Sequence, residues 1–178
     1  MSYTVILPTL NEKNHIVNLI NDIIYIFKKN NLTYEIIVVD DNSEDGTIDV
    51  VKKYQKKNDL VKLFVRKDKR RSLAQSINLG IKKSLYENLI WMDADYQHPP
   101  RYILDLTKNS TNYDLVICSR FLKGSERYFN REELKKDLNE NQSFIFNKLC
   151  NFFLFKDITD FTSGFICIKK KVFLNYEL

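Results

Sequence analysis

The segment LIWMDADYQ at residues 89–97 decides how the fold is interpreted. Its first four residues are apolar, as in a buried strand, and Asp93 and Asp95 follow where that strand would enter a loop. Two carboxylates one residue apart suit a hard divalent cation such as Mg²⁺ or Mn²⁺. Open α/β folds bind ligands at the carboxyl ends of their strands. The segment therefore predicts a metal at a sheet edge, and the alternative is a loop that merely begins with polar residues.

Short apolar segments alternate with amphipathic segments on both sides of this stretch. The apolar segments predict strands at 3–7, 35–39, 60–65, 88–92, 114–118 and 164–168. Helical spacing predicts helices at 12–28, 47–57, 73–85, 99–108 and 142–155, and residues 122–141 lack a clear period and predict a loop. Alternation of this kind indicates parallel strands with right-handed crossovers. We therefore expect one α/β domain over residues 1–178, with a Rossmann-like, mainly parallel central sheet flanked by helices.

Polar residues follow three of the predicted strands. They lie at 8–12 (PTLNE), 40–43 (DDNS) and 93–98 (DADYQH), and parallel strands bring such ends to one edge. Carboxylates crowded at one edge repel each other, so a metal or a donor-rich ligand should join them. Asp40 and Asp41 could accept hydrogen bonds from a nucleobase or a ribose. The alternative is that they only cap the next helix, for which Ser43 is also a candidate cap.

Composition restricts the classes of partner. A net charge of +5 on 178 residues fits phosphate-bearing ligands or an anionic membrane surface and does not single out nucleic acid. Basic residues cluster at 66–71 and 169–171. The three cysteines (Cys118, Cys150 and Cys167) lack metal-ligand or redox spacing and predict small buried residues in a reducing compartment. Neither a signal peptide nor a membrane span is expected.

Five motifs occur in order along the chain: 8–12 (PTLNE), 39–47 (VDDNSEDGT), 92–100 (MDADYQHPP), 119–121 (SRF) and 162–165 (TSGF). Together they resemble the successive motifs of family 2 glycosyltransferases, and among these the polyprenol-phosphate sugar transferases of the dolichyl-phosphate mannose synthase type. The resemblance runs from Tyr3 to about Phe173. It implies a GT-A fold.

The resemblance also implies roles for individual residues. Those expected to contact or support the nucleotide-sugar are Pro8, Asn11, Glu12, Val39, Asp40, Asp41 and Asp93. Those expected to hold the divalent metal, Mg²⁺ or Mn²⁺, are Asp93, Asp95 and Gln97. Asp95 and Arg120 are implied as catalytic, with Arg120 facing the diphosphate or an acceptor phosphate. Ser163 and Lys169 are implied on the acceptor side, and His98 is expected to be structural.

The implied reaction is an inverting, metal-dependent transfer from a GDP- or UDP-sugar to a polyprenyl phosphate. A phosphate acceptor is already ionised near neutral pH, because its second pKa is about 6, so it needs no general base. The implied location is cytoplasmic, peripheral at the cytoplasmic face of a membrane, with a partner chain or dimer possible. Three alternatives remain: a non-catalytic nucleotide-sugar-binding subunit, a transferase with a saccharide acceptor and Asp160 as base, and, least favoured, a receiver-like phosphoacceptor domain.

The chain departs from the family pattern at four places. Residues 71–76 (RSLAQS) lack the usual glycine-rich turn, and residues 139–144 (NENQSF) lack a basic residue. Lys169 stands where relatives commonly carry Arg, and lysine lacks the bidentate hydrogen-bonding fork of arginine. The chain stops at Leu178, whereas such relatives continue for several dozen residues, so the resemblance predicts an incomplete acceptor side.

Overall fold

The computed structural model describes residues 1–68, 70–122 and 158–174. The chain divides into two compact units, one of residues 1–116 with 165–178 and one of residues 117–164. The first unit contains nearly the whole sheet and the segment 89–97, and the second contains the described residues around Arg120 and Asp160. The prediction of a single domain over residues 1–178 stays a prediction.

A six-stranded sheet forms the centre of the fold. Its strands are β1 (Ser2–Thr9), β2 (Thr33–Asp40), β3 (Val61–Val65), β4 (Asn88–Trp91), β5 (Leu115–Ile117) and β6 (Ile166–Lys169). Their order is β3-β2-β1-β4-β6-β5. The pairs β1–β2, β1–β4 and β2–β3 are parallel, whereas β6 runs antiparallel to β4. The predicted α/β class with a mainly parallel sheet is confirmed.

Helices lie between successive strands, and the last described helix follows β6. They are α1 (Ile16–Lys29), α2 (Thr47–Gln55), α3 (Leu73–Lys83), α4 (Ile103–Asn109) and α5 (Lys170–Leu174), with a 3₁₀ helix at Pro100–Tyr102. The predicted apolar stripe of α1 is buried along its length. No helix in the described ranges is long and apolar enough to span a membrane. The predicted helix 142–155 and most of the predicted loop 122–141 lie outside the described residues.

Strand β1 continues through Pro8, where the sequence predicted its end. Pro8 stays in register with Val39 of β2. The ladder between β1 and β4 ends earlier, at Ile6 and Trp91. Pro8 therefore lies beyond the part of β1 that pairs with β4. Proline is tolerated there because it removes no ladder hydrogen bond. The longer strand carries Thr9 to the sheet edge, opposite Asp40.

Strand β2 contains two buried carboxylates, Glu35 near its start and Asp40 at its end, although its sequence predicts an apolar strand. Glu35 is buried, and its carboxylate accepts hydrogen bonds from Thr4 Oγ1 at 2.7 Å and from the Leu85 backbone N–H at 2.6 Å. Lys62 Nζ lies 2.8 Å from the other carboxylate oxygen. These contacts satisfy the charge, as burial requires. They lie at the amino edge of the parallel strands, away from the acidic loops.

Candidate functional site

The loops after β1 and β2 are held together by hydrogen bonds between backbone and side chain. The Asn11 N–H donates to Ser43 Oγ at 2.8 Å, and the Glu44 N–H donates to Asn11 Oδ1 at 3.0 Å. Asn11 has a positive φ of 60°, a conformation that asparagine tolerates better than most residues. Asn11, a predicted nucleotide contact, therefore lies on a turn whose conformation is fixed by the neighbouring loop.

Two further bonds extend this connection to the start of α2. The Glu12 N–H donates to Thr47 Oγ1 at 2.9 Å, and the Lys13 N–H donates to Asp45 Oδ2 at 3.0 Å. Asp45 Oδ1 accepts from the Thr47 N–H at 2.9 Å, and the Thr47 hydroxyl and this amide hold the pKa of Asp45 below its usual value. The expectation that Ser43 caps α2 is wrong, because its hydroxyl is occupied by Asn11 and Asp40. The N-cap residue is Gly46, and Asp45 accepts from the N–H of Thr47, the first residue of the helix.

Asp40 stabilises the turn after β2 from inside the protein. It is fully buried, with Oδ1 accepting from the Ser43 N–H at 2.7 Å and Oδ2 accepting from Ser43 Oγ at 2.7 Å and Thr9 Oγ1 at 3.3 Å. Pro8 and Val39 are also buried. Val39 packs in a core cluster with Ile6. A nucleoside contact by Val39 would therefore use its backbone.

Asp41 forms a buried ion pair with Arg66, the residue that follows β3. Arg66 Nη1 lies 2.7 Å from Asp41 Oδ1, and the two side chains are 3% and 9% exposed. Asp41 Oδ2 accepts from the Ser72 N–H at 2.5 Å. Arg66 also donates to Asp68 Oδ2 at 2.8 Å and to Gln75 Oε1. The first member of the predicted basic cluster is thus a structural cation that fixes the loop before α3.

The acidic loop after β4 is fixed at Asp93 and Asp95. The Asp93 N–H donates to His98 Nδ1 at 3.1 Å, and the His98 ring stacks on Phe165 with centroids 5.3 Å apart. Asp95 Oδ1 accepts from the Gln97 N–H at 2.9 Å. His98 therefore occupies the structural position that the sequence predicts.

The carboxyl ends of β1, β2 and β4 share one edge of the sheet. Thr9 pairs with Asp40, and Ile6 pairs with Trp91, so Asp41 and Asp93 follow parallel strands that flank β1 on its two sides. Across residues 1–68, 70–122 and 158–174, no three His, Cys, Asp or Glu side chains converge on one point. The Asp93 side chain is 43% exposed. A cation here would have Asp93, Asp95 and the Gln97 amide as oxygen ligands, and hard divalent cations accept such a set with substrate phosphates completing it.

Arg120 and Ser163 belong to the second unit. Arg120 Nε and Nη2 lie 2.8 and 3.0 Å from the two carboxylate oxygens of Asp160, and Nη2 also donates to Thr162 Oγ1 at 2.7 Å. Burial alone would raise the pKa of Asp160, but the hydrogen bonds from Arg120 outweigh it and hold that pKa below its usual value. Ser163 Oγ donates to the Cys118 carbonyl at 2.6 Å. The guanidinium is therefore oriented by a bidentate contact.

Lys169 lies at the opposite edge of the sheet from Asp93 and Asp95. It pairs with Asn88, the first residue of β4, and its Nζ donates to Asn88 Oδ1 at 2.5 Å. The structure thus places the loops that follow β1, β2 and β4 at one edge of the sheet and Lys169 at the other. Sequence reasoning missed the roles of Arg66 and of Tyr96, whose hydroxyl donates to Asp22 Oδ2 at 2.7 Å. A basic residue after an edge strand was the available signal for Arg66.

Comparison with known proteins identifies relatives over the whole chain. The profile described as Glycosyl transferase family 2 matches residues 4–176. A dolichol-phosphate mannosyltransferase of Pyrococcus furiosus is 33% identical over 184 residues, covering 100% of this chain and 49% of the relative. The chain thus spans about half the length of this relative.

Solved structures show the same fold. Mannosyl-3-phosphoglycerate synthase from Rubrobacter xylanophilus matches with a TM-score of 0.74 at 16% identity, over 97% of this chain and 55% of its own. A mannosyltransferase from Pyrobaculum calidifontis, solved in complex with GDP-Man and Mn²⁺, matches with a TM-score of 0.52 at 28% identity, over 66% of this chain and 35% of its own. These similarities confirm the predicted GT-A form of the Rossmann-like fold.

Proposed function

The chain belongs to glycosyl transferase family 2, and we propose that its carboxyl sheet edge binds the nucleotide-sugar donor of a metal-dependent glycosyltransferase. The observation that carries this proposal is the arrangement of three loops at that edge. The β1 and β2 loops are joined by hydrogen bonds through Asn11 and Ser43, and the loop with Asp93 and Asp95 follows the strand on the other side of β1. Open α/β sheets bind ligands at such an edge.

In the proposed complex, the nucleoside lies against the loops that follow β1 and β2. Asn11 and Glu12 contact it from one loop, while Asp40 and Asp41 shape the other from buried positions. The diphosphate lies at Asp93, Asp95 and Gln97, which would hold the divalent cation. A cation bound there would neutralise the diphosphate and would supply Lewis-acid chemistry for its departure. The Mn²⁺ and GDP-Man bound by the Pyrobaculum calidifontis relative support this assignment.

For the acceptor, we favour a polyprenyl phosphate bound at a membrane surface. Support comes from the Pyrococcus furiosus dolichol-phosphate mannosyltransferase, which this chain matches along its full length. A phosphate oxygen would attack the anomeric carbon as the bond to the nucleoside diphosphate breaks, which inverts that carbon. Arg120 would stabilise the anionic groups during transfer, because Asp160 and Thr162 hold its guanidinium in a fixed orientation.

A saccharide acceptor is less favoured, because it would need a general base. Asp160 is the carboxylate considered for that role, but both its oxygens accept from Arg120. A base should have a pKa near the working pH, and the pKa of Asp160 is held below its usual value. Asp160 therefore fits a positioning role for Arg120.

Calorimetry with GDP, UDP and their sugars, with and without Mn²⁺, tests the donor site. We expect Mn²⁺ to strengthen nucleotide binding, and we expect Asp95→Ala to abolish that gain because one of two carboxylate ligands is lost. Asp105→Ala is the matched control, since Asp105 is an exposed carboxylate on α4. If Asp95→Ala keeps the full Mn²⁺-dependent gain, the metal assignment is wrong. Transfer of labelled sugar to polyprenyl phosphate then tests the acceptor.

A further inference from the structure

Tyr96 adopts a backbone conformation that a tyrosine seldom adopts. In the described part of the chain, the non-glycine residues with positive φ are Asn11, Asn31, Asn42 and Tyr96, the last at 64°. Asparagine is enriched in this region, whereas a bulky residue is an outlier there. Such conformations are strained and persist when surrounding contacts over-determine them. The contacts of Tyr96 should therefore explain why the loop turns at this residue.

The Tyr96 side chain connects the acidic loop to helix α1. Its hydroxyl donates to Asp22 Oδ2 at 2.7 Å, and its ring lies edge-on to the His15 ring with centroids 6.3 Å apart. His15 Nδ1 in turn lies 3.0 Å from Glu12 Oε2. These contacts run from the predicted metal loop to a predicted nucleotide contact.

We propose that Tyr96 is a positioning residue for the donor site, because its hydroxyl bond to Asp22 holds the loop with Asp95 and Gln97 in the conformation that binds the cation. This inference rests on the proposed function. Asp95 directly precedes Tyr96, and its Oδ1 accepts from the Gln97 N–H directly after Tyr96. The turn at Tyr96 therefore determines the positions of both proposed metal ligands, Asp95 and Gln97. Ligands held in position before binding give tighter sites than ligands on a loop that must first be ordered.

The test measures Mn²⁺-dependent binding of GDP or UDP by calorimetry, using whichever nucleotide the wild-type chain binds. Tyr96→Phe keeps the ring and removes the hydroxyl, so we expect the Mn²⁺-dependent affinity to fall about fivefold, as for loss of one hydrogen bond. Asp22→Ala should give a similar loss, and the double variant should lose no more than either single variant. Asp22→Asn keeps an acceptor oxygen and should retain more affinity than Asp22→Ala.

Two controls separate positioning from a general structural effect. Tyr25→Phe changes an exposed tyrosine on α1, the helix that carries Asp22, and should leave Mn²⁺-dependent nucleotide binding unchanged. The metal-free nucleotide affinity of Tyr96→Phe should match that of the wild type. If Tyr96→Phe binds Mn²⁺ and nucleotide as the wild type does, or weakens metal-free binding equally, the positioning role is refuted while the donor site stands. If the wild type shows no Mn²⁺-dependent binding, the proposed function fails together with this inference.

Discussion

Replacing Arg66 with methionine should lower the free energy of unfolding by about 3–5 kcal/mol, the usual cost of removing one partner from a buried ion pair. The Arg66 and Asp41 side chains are 3% and 9% exposed, and 2.7 Å separates Nη1 from Oδ1. Methionine fills much of the space of the arginine stem, so the variant loses mainly charge and donors. Asp41 would keep the Ser72 N–H, but its buried charge would lose its cation. A buried charge without a partner is the costly state.

Arg71→Met is the matched control for Arg66→Met. Arg71 also forms an ion pair, with Glu44 at 3.2 Å, but these side chains are 50% and 78% exposed. Exposed pairs contribute about 0–1 kcal/mol. Equilibrium urea unfolding followed by circular dichroism measures both variants. Combining Arg66→Met with Asp41→Asn removes both charges and should cost less than the sum of the single changes. If Arg66→Met costs no more than Arg71→Met, the argument from burial is wrong.

Two other changes test the fold and the pH dependence. A Cβ on Gly80 would lie 2.5 Å from Ile6 Cγ2. Gly80→Ala should therefore destabilise the chain by about 1–2 kcal/mol, although alanine has a better helix propensity than glycine. A melting temperature at or above that of the wild type would show that Ile6 can move aside. The pKa of Asp160 is depressed in the folded chain from its ordinary 3.8, so its stabilising contribution is present above that pH and is lost as the pH falls through the folded value. The stability difference between wild type and Asp160→Asn should therefore shrink on going from pH 7 to pH 3 in urea titrations, and a constant difference would contradict the Arg120 contact.

The fold could be predicted well where one period dominates the sequence. The apolar stripe of α1 follows helical spacing, and the structure buries the residues predicted from it. The start of α1 was predicted at Glu12, but the helix begins at Ile16 because residues 12–15 form turns in which the Glu12 carbonyl accepts from the His15 and Ile16 N–H groups. Periodicity continues through such turns, so it locates an element better than it locates its ends.

The site could be predicted only as far as strand order determines it. Carboxyl ends of parallel strands must meet at one edge, which is why Asp41 and Asp93 were expected on the same side. The partners of these carboxylates were not predictable. Asp41 binds Arg66, which is 25 residues away, and Ser43 bonds to Asn11 instead of capping α2. Several donors of similar chemistry lie within reach of each strand end, and only the packed loops decide among them.

The carboxylates at this edge differ in how the protein neutralises them, and that difference limits where a cation can bind. Asp40 is satisfied by Ser43 and Thr9 hydrogen bonds, and Asp41 by Arg66, all from within the chain. A second cation near Asp41 would have to compete with a buried guanidinium, which does not give up its proton. Asp93 lies 3.7 Å from His98 Nδ1 through Oδ2 and is 43% exposed to solvent, and Asp95 lies on the same loop. Repulsion between the carboxylates at the strand ends thus does not require one cation shared by all three loops. The cation would bind on the β4 loop alone and take its remaining ligands from the donor's phosphates, so metal affinity should depend strongly on bound nucleotide.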